Sequence, residues 1–125
     1  MKIGHISINV KSMEESIRFY IDIMGLELKN RLEDPENKLE LAFLSDRQSD
    51  IVLELTYRKE KKDWNKGDEL DHLGFTVPNM NEAMKFFKEN KVGIVKEPYV
   101  FEGTKSIIAF IADPNNILLE IIERK

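Results

Sequence analysis

Two histidines and two glutamates carry the chemistry that this sequence of 125 residues offers. His5 stands second in the run "GHISINV" (4–10) and His72 second in "DHLGFTV" (71–77), and the chain has only these two histidines. Glu54 lies in "IVLELTY" (51–57) and Glu120 in "ILLEIIE" (117–123). From His5 to Glu54 is 49 residues, and from His72 to Glu120 is 48. A lone strand histidine is ordinarily a hydrogen-bonded structural residue, and a lone strand glutamate ordinarily faces water. Four such residues in matched places point instead to one mixed nitrogen–oxygen site. That donor set suits Zn²⁺, Ni²⁺, Co²⁺ or Fe²⁺, suits soft Cu⁺ poorly, and leaves two coordination positions for water or substrate. A carboxylate inside an apolar run is costly unless paired, hydrogen-bonded or metal-bound. Neither acid-bearing run contains a Lys or Arg to neutralise it.

The matched placement comes from an internal repeat. A shift of 67 residues lays His5 on His72, Ile8 on Phe75, Val10 on Val77, Met13 on Met80, Glu15 on Glu82 and Phe19 on Phe86. Each half reads as a strand (3–10; 71–77), a helix, and three further strands. The later strands are expected at 26–31, 38–44 and 51–57, and at 94–97, 106–112 and 117–123. Ser12 with Glu15, and Asn79 with Glu82, have capping-box spacing and mark the two helix starts. Ile17, Tyr20, Ile21 and Met24 in the first helix, and Met80, Ala83, Phe86 and Phe87 in the second, recur at helical spacing. Gly25 and Gly93 stand where C-cap glycines are expected. "SDRQSD" (45–50) and "DPNN" (113–116) read as turns.

Alternation along a strand puts His5, Ser7 and Asn9 on one face, and Ile6, Ile8 and Val10 on the other. His72, Gly74 and Thr76 likewise oppose Leu73, Phe75 and Val77. Glu54 shares its face with Val52 and Thr56, and Glu120 with Leu118 and Ile122. The apolar faces are expected to pack under the helices, leaving the histidines on a face with room for a ligand.

The fold class is therefore α+β: two tandem βαβββ modules within a single domain of residues 1–125. Module one covers about 1–57, a charged connector 58–68, and module two about 69–125. A chain of this size buries about 60–70% of its unfolded surface, enough for a core. The net charge of −4 argues against a nucleic-acid or anionic-membrane partner. The absence of cysteine excludes disulfides, thiolate ligands and a Cys nucleophile. No stretch reads as a signal peptide or membrane span, so a cytoplasmic location is expected.

The runs "GHISINV", "SIRFYIDIMGLEL", "LAFL", "IVLELTY", "DHLGFTV" and "IIAFIADPNNILLEIIE", in that order, resemble the glyoxalase I (lactoylglutathione lyase) group of the vicinal oxygen chelate superfamily. The resemblance covers essentially the whole chain. The family's "AFxxDPxxxxxEI" run is matched by Ala109, Phe110, Asp113, Pro114, Glu120 and Ile121. The resemblance implies that two βαβββ modules form a curved half-barrel sheet around one divalent metal held by His5, Glu54, His72 and Glu120. The compact bacterial form is usually activated by Ni²⁺ or Co²⁺, with Zn²⁺ the alternative. The implied substrate is the hemithioacetal of methylglyoxal and a thiol, typically glutathione, isomerised through an enediolate to the S-lactoyl thioester. A homodimer is expected, with ligands taken from both chains or from one.

The residues fit that chemistry. A proton must leave the carbon beside a carbonyl, the resulting charge must be stabilised by a divalent ion, and a carboxylate must move the proton between adjacent carbons. Glu120 is the expected principal base, with Glu54 serving the opposite face. One departure concerns the thiol carrier. Family members that use glutathione tend to carry Arg four residues after the first His and Asn four after the first Glu. Those places here hold Asn9 and Arg58, the two types exchanged. They are the candidate substrate-binding residues, although Arg58 also reads as a solvated connector residue. The rivals are a CoA-thioester epimerase, where Gln usually replaces Glu54; an Fe²⁺ extradiol-type dioxygenase, which needs two His and one acid; and a metal-free small-molecule binding or resistance module, which usually lacks the ligand set.

Overall fold

The order of elements follows the repeat. In the computed structural model, which describes every residue except Lys66, Asp68, Glu69 and Lys125, β1 (His5–Asn9) leads into α1 (Met13–Arg18) and a π-helical turn (Phe19–Ile23). Strands β2 (Glu27–Asp34), β3 (Leu39–Ser45) and β4 (Val52–Arg58) follow. The second half gives β5 (Leu73–Thr76), α2 (Met80–Glu89), β6 (Gly93–Phe101), β7 (Ser106–Ala112) and β8 (Leu118–Glu123). The chain divides into two compact units, Met1–Lys66 and Gly67–Lys125. Each holds one four-stranded mixed sheet, ordered β1-β4-β3-β2 and β5-β8-β7-β6. The first strand of each half pairs in parallel with the last, and the other pairs are antiparallel. Of the predicted connector, Arg58 belongs to β4, and Lys66, Asp68 and Glu69 lie outside the described residues.

The helices start where the caps dictate. Ser12 Oγ accepts from Glu15 N at 3.3 Å, and Asn79 Oδ1 accepts from Glu82 N at 2.9 Å. Their buried stripes differ from the expected ones. Met80, Met84 and Phe87 are buried on α2, while Phe86 is 40% exposed. In the first half Met13, Ser16, Phe19 and Tyr20 are buried, not Ile17, Ile21 and Met24. In the first half an extra residue accounts for the shift at Ile21 and Met24. Met24 N bonds Phe19 O at 3.1 Å, a five-residue step. The wider turn shifts the phase of whatever follows Arg18.

The helix ends differ as well. Gly25 has φ +73 and ends the first helix as expected. Gly93 does not end the second; it begins β6. The left-handed position is filled by Lys91, with φ 58. Val92 N bonds Phe87 O at 2.9 Å and Lys91 N bonds Lys88 O at 3.1 Å, the Schellman pattern. Gly25 lies 12 residues after Met13, whereas Lys91 lies 11 after Met80; the π-helical turn absorbs that difference.

The hairpins also repeat. Lys38 and Lys105, 67 residues apart, both have positive φ, at 55 and 61. Asp46 and Asp113 match at the same shift. Asp46 Oδ1 accepts from Gln48 N and Ser49 N, and Asp113 Oδ1 accepts from Asn115 N and Ile117 N, all at 2.8–2.9 Å. The Ser49 and then Gln48 amides hold the Asp46 carboxyl below its ordinary range.

Each core lies on one face of its sheet. Ile8, Ala42, Leu44 and Leu55 are buried in the first unit, and Ala109, Ile111, Leu119 and Ile121 in the second, while Ile108, paired with Ile122, is buried on the opposite face. In β8 the alternation is plain: Leu119 and Ile121 are fully enclosed, while Leu118, Glu120 and Ile122 on the other face are half-buried. An anion also ties α2 to β8, where Glu123 Oε2 accepts from Met80 N at 2.6 Å at the helix N-terminus.

Candidate metal centre

The parallel pairing of first and last strand brings each histidine to its glutamate. Ser7 stands opposite Glu54 in the β1–β4 register, and Gly74 opposite Glu120 in the β5–β8 register. His5 Nε2 lies 3.6 Å from Glu54 Oε2, and His72 Nε2 lies 3.2 Å from Glu120 Oε2. The Glu54 and Glu120 side chains are only 16% and 17% exposed, against 60% for His5 and 33% for His72. The carboxylates are thus drawn toward the sheet while the imidazoles stay open. His72 is not in the strand predicted for 71–77, because β5 starts at Leu73, opposite Leu119.

The donor chemistry fits a divalent cation. Two donors bound to one ion at about 2.0–2.2 Å lie roughly 2.8–3.6 Å apart at octahedral or tetrahedral angles, and both pairs fall in that span. His72 Nδ1 meets Asp71 Oδ2 at 2.6 Å. A proton on Nδ1 directed at that carboxylate leaves the Nε2 lone pair free for a metal. The His72 ring also stands edge-to-face on Phe110, centroids 5.9 Å apart. Each pair lies within one unit. Among the described residues no group of three or more His, Asp or Glu side chains lies close enough to hold a metal ion.

Around the two acids the units differ. Ser7 Oγ and Thr56 Oγ1 approach Glu54 Oε1 at 3.3 and 3.2 Å, and each other at 2.8 Å. The sequence reading put both residues on the right face and gave them no role. Residue type alone carries no signal that a Ser and a Thr 49 residues apart will meet. Asn9 and Arg58 are also brought together, with Arg58 Nε donating to Asn9 Oδ1 at 3.0 Å.

Comparisons with known proteins place the fold in a family. The family model described as the Glyoxalase/Bleomycin resistance protein/Dioxygenase superfamily matches residues 2–121. The lactoylglutathione lyase of Salmonella typhimurium is 32% identical over 127 residues, covering 100% of this chain and 94% of its own length. The chain belongs to the glyoxalase I family. Within that family, the probable lactoylglutathione lyase of Vibrio cholerae is 32% identical over 126 residues, covering 99% of this chain and 91% of its own. Among solved glyoxalase I structures, the trypanothione-dependent Leishmania major enzyme superposes with a TM-score of 0.83 at 26% identity, covering 98% of this chain and 86% of that one. The Zea mays enzyme superposes with a TM-score of 0.87 at 24% identity. It shares the fold, and this chain spans only 44% of its length. No helix among the described residues is long and apolar enough to cross a membrane.

Proposed function

We propose that this protein is a lactoylglutathione lyase, converting the hemithioacetal of methylglyoxal and a thiol into the S-lactoyl thioester. The observation that carries the reading is the doubled His–Glu pair, presented twice on the face opposite a core at the separation of donors to one cation. His5, Glu54, His72 and Glu120 are the residues that would hold the ion. Ni²⁺ or Co²⁺ is favoured over Zn²⁺ by the likeness to compact bacterial members. A bound divalent cation supplies Lewis-acid stabilisation of the negative charge that develops on the substrate's two adjacent oxygens.

The chain's own residues supply the rest. The neutral imidazoles of His5 and His72 hold the site together. The Glu120 carboxylate takes the proton from the carbon bearing the hydroxyl and sulfur and returns it to the former ketone carbon. The hydroxyl proton passes to the neighbouring oxygen, so the reaction is an isomerisation that needs no oxidant or co-reactant. Asn9 and Arg58 are suited to the anionic end of the thiol carrier. They share the face of His5, and Asn9 lies four strand residues, about 13 Å, from it. Their direct hydrogen bond keeps a guanidinium at this place although the two residue types are exchanged relative to the family habit. The assembled enzyme is read as a homodimer by its likeness to the family, with the four donors taken from one chain or from two. The reading places it in the cytoplasm, where low-molecular-weight thiols are kept reduced.

The test is thioester formation by chelator-stripped protein, with Ni²⁺, Co²⁺ or Zn²⁺ restored, using glutathione, trypanothione and a small uncharged thiol. Metal-dependent turnover is expected, and its absence with every ion overturns the assignment. Arg58→Gln is expected to raise KM for the glutathione adduct roughly 10-fold with little change in kcat. Equal rates with all thiols would remove Asn9 and Arg58 from the carrier grip.

A further inference from the structure

The repeat places two equivalent carboxylates in unequal surroundings. Glu54 Oε1 is approached by two hydroxyls, Ser7 Oγ at 3.3 Å and Thr56 Oγ1 at 3.2 Å. Thr56 is itself only 4% exposed, and is fixed on β4 opposite Asn9. The positions that correspond in the second unit are Gly74, opposite Glu120, and Ile122, two residues beyond it. Neither has a hydrogen-bonding side chain. Among the described residues the Glu120 carboxylate meets only His72.

We propose that Ser7 and Thr56 are positioning residues that hold Glu54 as a fixed ligand, and thereby leave the proton-transfer role to Glu120. The proposal rests on the lyase reading above and deepens it. The carboxylate that shuttles a proton between two carbons must turn between them. Two hydroxyls on Oε1 hold Glu54 in one rotamer, with Oε2 directed toward His5. Glu120 has no such restraint. The hydroxyls also form a redundant pair: two protons serve three contacts, since Ser7 Oγ and Thr56 Oγ1 lie 2.8 Å apart. Removing one hydroxyl leaves the other able to donate to Glu54, so single substitutions act weakly and the double substitution strongly.

The experiment asks whether freeing Glu54 lets it replace Glu120. The proteins are wild type, Glu120→Gln, Ser7→Ala with Thr56→Val, and the triple combination. Each is loaded with Ni²⁺, assayed for kcat and KM with the methylglyoxal–glutathione adduct, and titrated calorimetrically with Ni²⁺ alone. The triple variant is expected to regain at least about 5-fold in kcat over Glu120→Gln at unchanged KM, a gain that loss of structure does not produce. The Ser7→Ala/Thr56→Val protein is expected to bind Ni²⁺ about 3–10-fold more weakly than wild type. A folded, Ni²⁺-loaded triple variant no faster than Glu120→Gln overturns the proposal. Should the triple variant fail to fold, the Ni²⁺ titration of the double variant decides, and an affinity within 2-fold of wild type overturns it. If wild type turns over nothing with any cation, the lyase reading falls, and the same titration still decides the positioning role.

Discussion

The two modules make a natural control for each other. Both place a glutamate in the strand that pairs in parallel with the histidine-bearing segment, and both enclose its side chain to nearly the same degree, 16% and 17% exposed. Burial therefore does not distinguish Glu54 from Glu120. What distinguishes them is one atom layer away: Ser7 and Thr56 in one module, Gly74 and Ile122 in the other. Duplication supplies two like carboxylates, and on the proposal above the residues beside them assign unlike tasks. The support is unequal elsewhere too. His72 is held by Asp71 on its Nδ1, and α2 is anchored by Glu123, whose counterpart in the first module is Tyr57.

The largest effect should come from exchanging each acid for its amide. Glu120→Gln is expected to lower kcat by about 10²–10⁴ with the protein still folded, whereas Glu54→Gln acts first on cation affinity. Comparable kcat losses for the two, measured at saturating metal, would break the division of labour. A smaller effect sharpens it. Gly74→Ser with Ile122→Thr builds the hydroxyl pair beside Glu120. A side chain fits at Gly74, where a Cβ would meet Ile122 Cδ1 at 3.8 Å, an ordinary contact. Turnover should fall roughly 10-fold, and turnover at or above that of wild type would speak against restraint as the distinguishing feature.

Two predictions test the scaffold differences without touching the site. Glu123→Gln removes the charge at the α2 N-terminus and should cost about 1 kcal/mol, a fall in Tm of several degrees by calorimetry. Tyr57→Phe in the first module should leave Tm nearly unchanged. Lys91→Gly relieves a left-handed Lys at the helix end and should raise stability by roughly 0.5–1 kcal/mol in chemical denaturation. The reverse change at Gly25, to Lys, should lower it by a similar amount.

Much of this was legible beforehand because it is local. The period of two in "ISINV" and "LLEII" separates the core face from the ligand face. Ser12 and Asn79 announce helix starts through bonds that span three residues. The C-cap expected at Gly93 falls instead at Lys91, because a glycine is the usual signal for a left-handed residue and here a lysine adopts that conformation. The apolar stripe of the first helix departs from the expected one at Ile21 and Met24 because the π-helical turn inserts a residue that no propensity reveals. It shows only in the count from Met13 to Gly25.

The sequence by itself determined the repeat, the two βαβββ modules and the identity of the four candidate ligands, because residue type and short-range period fix them. Only the tertiary structure decided which neighbours each ligand meets. Parallel pairing of β1 with β4 sets residues nearly fifty positions apart side by side. A one-residue slip in that register would turn Ser7 away from Glu54, since successive side chains point to opposite faces of a strand.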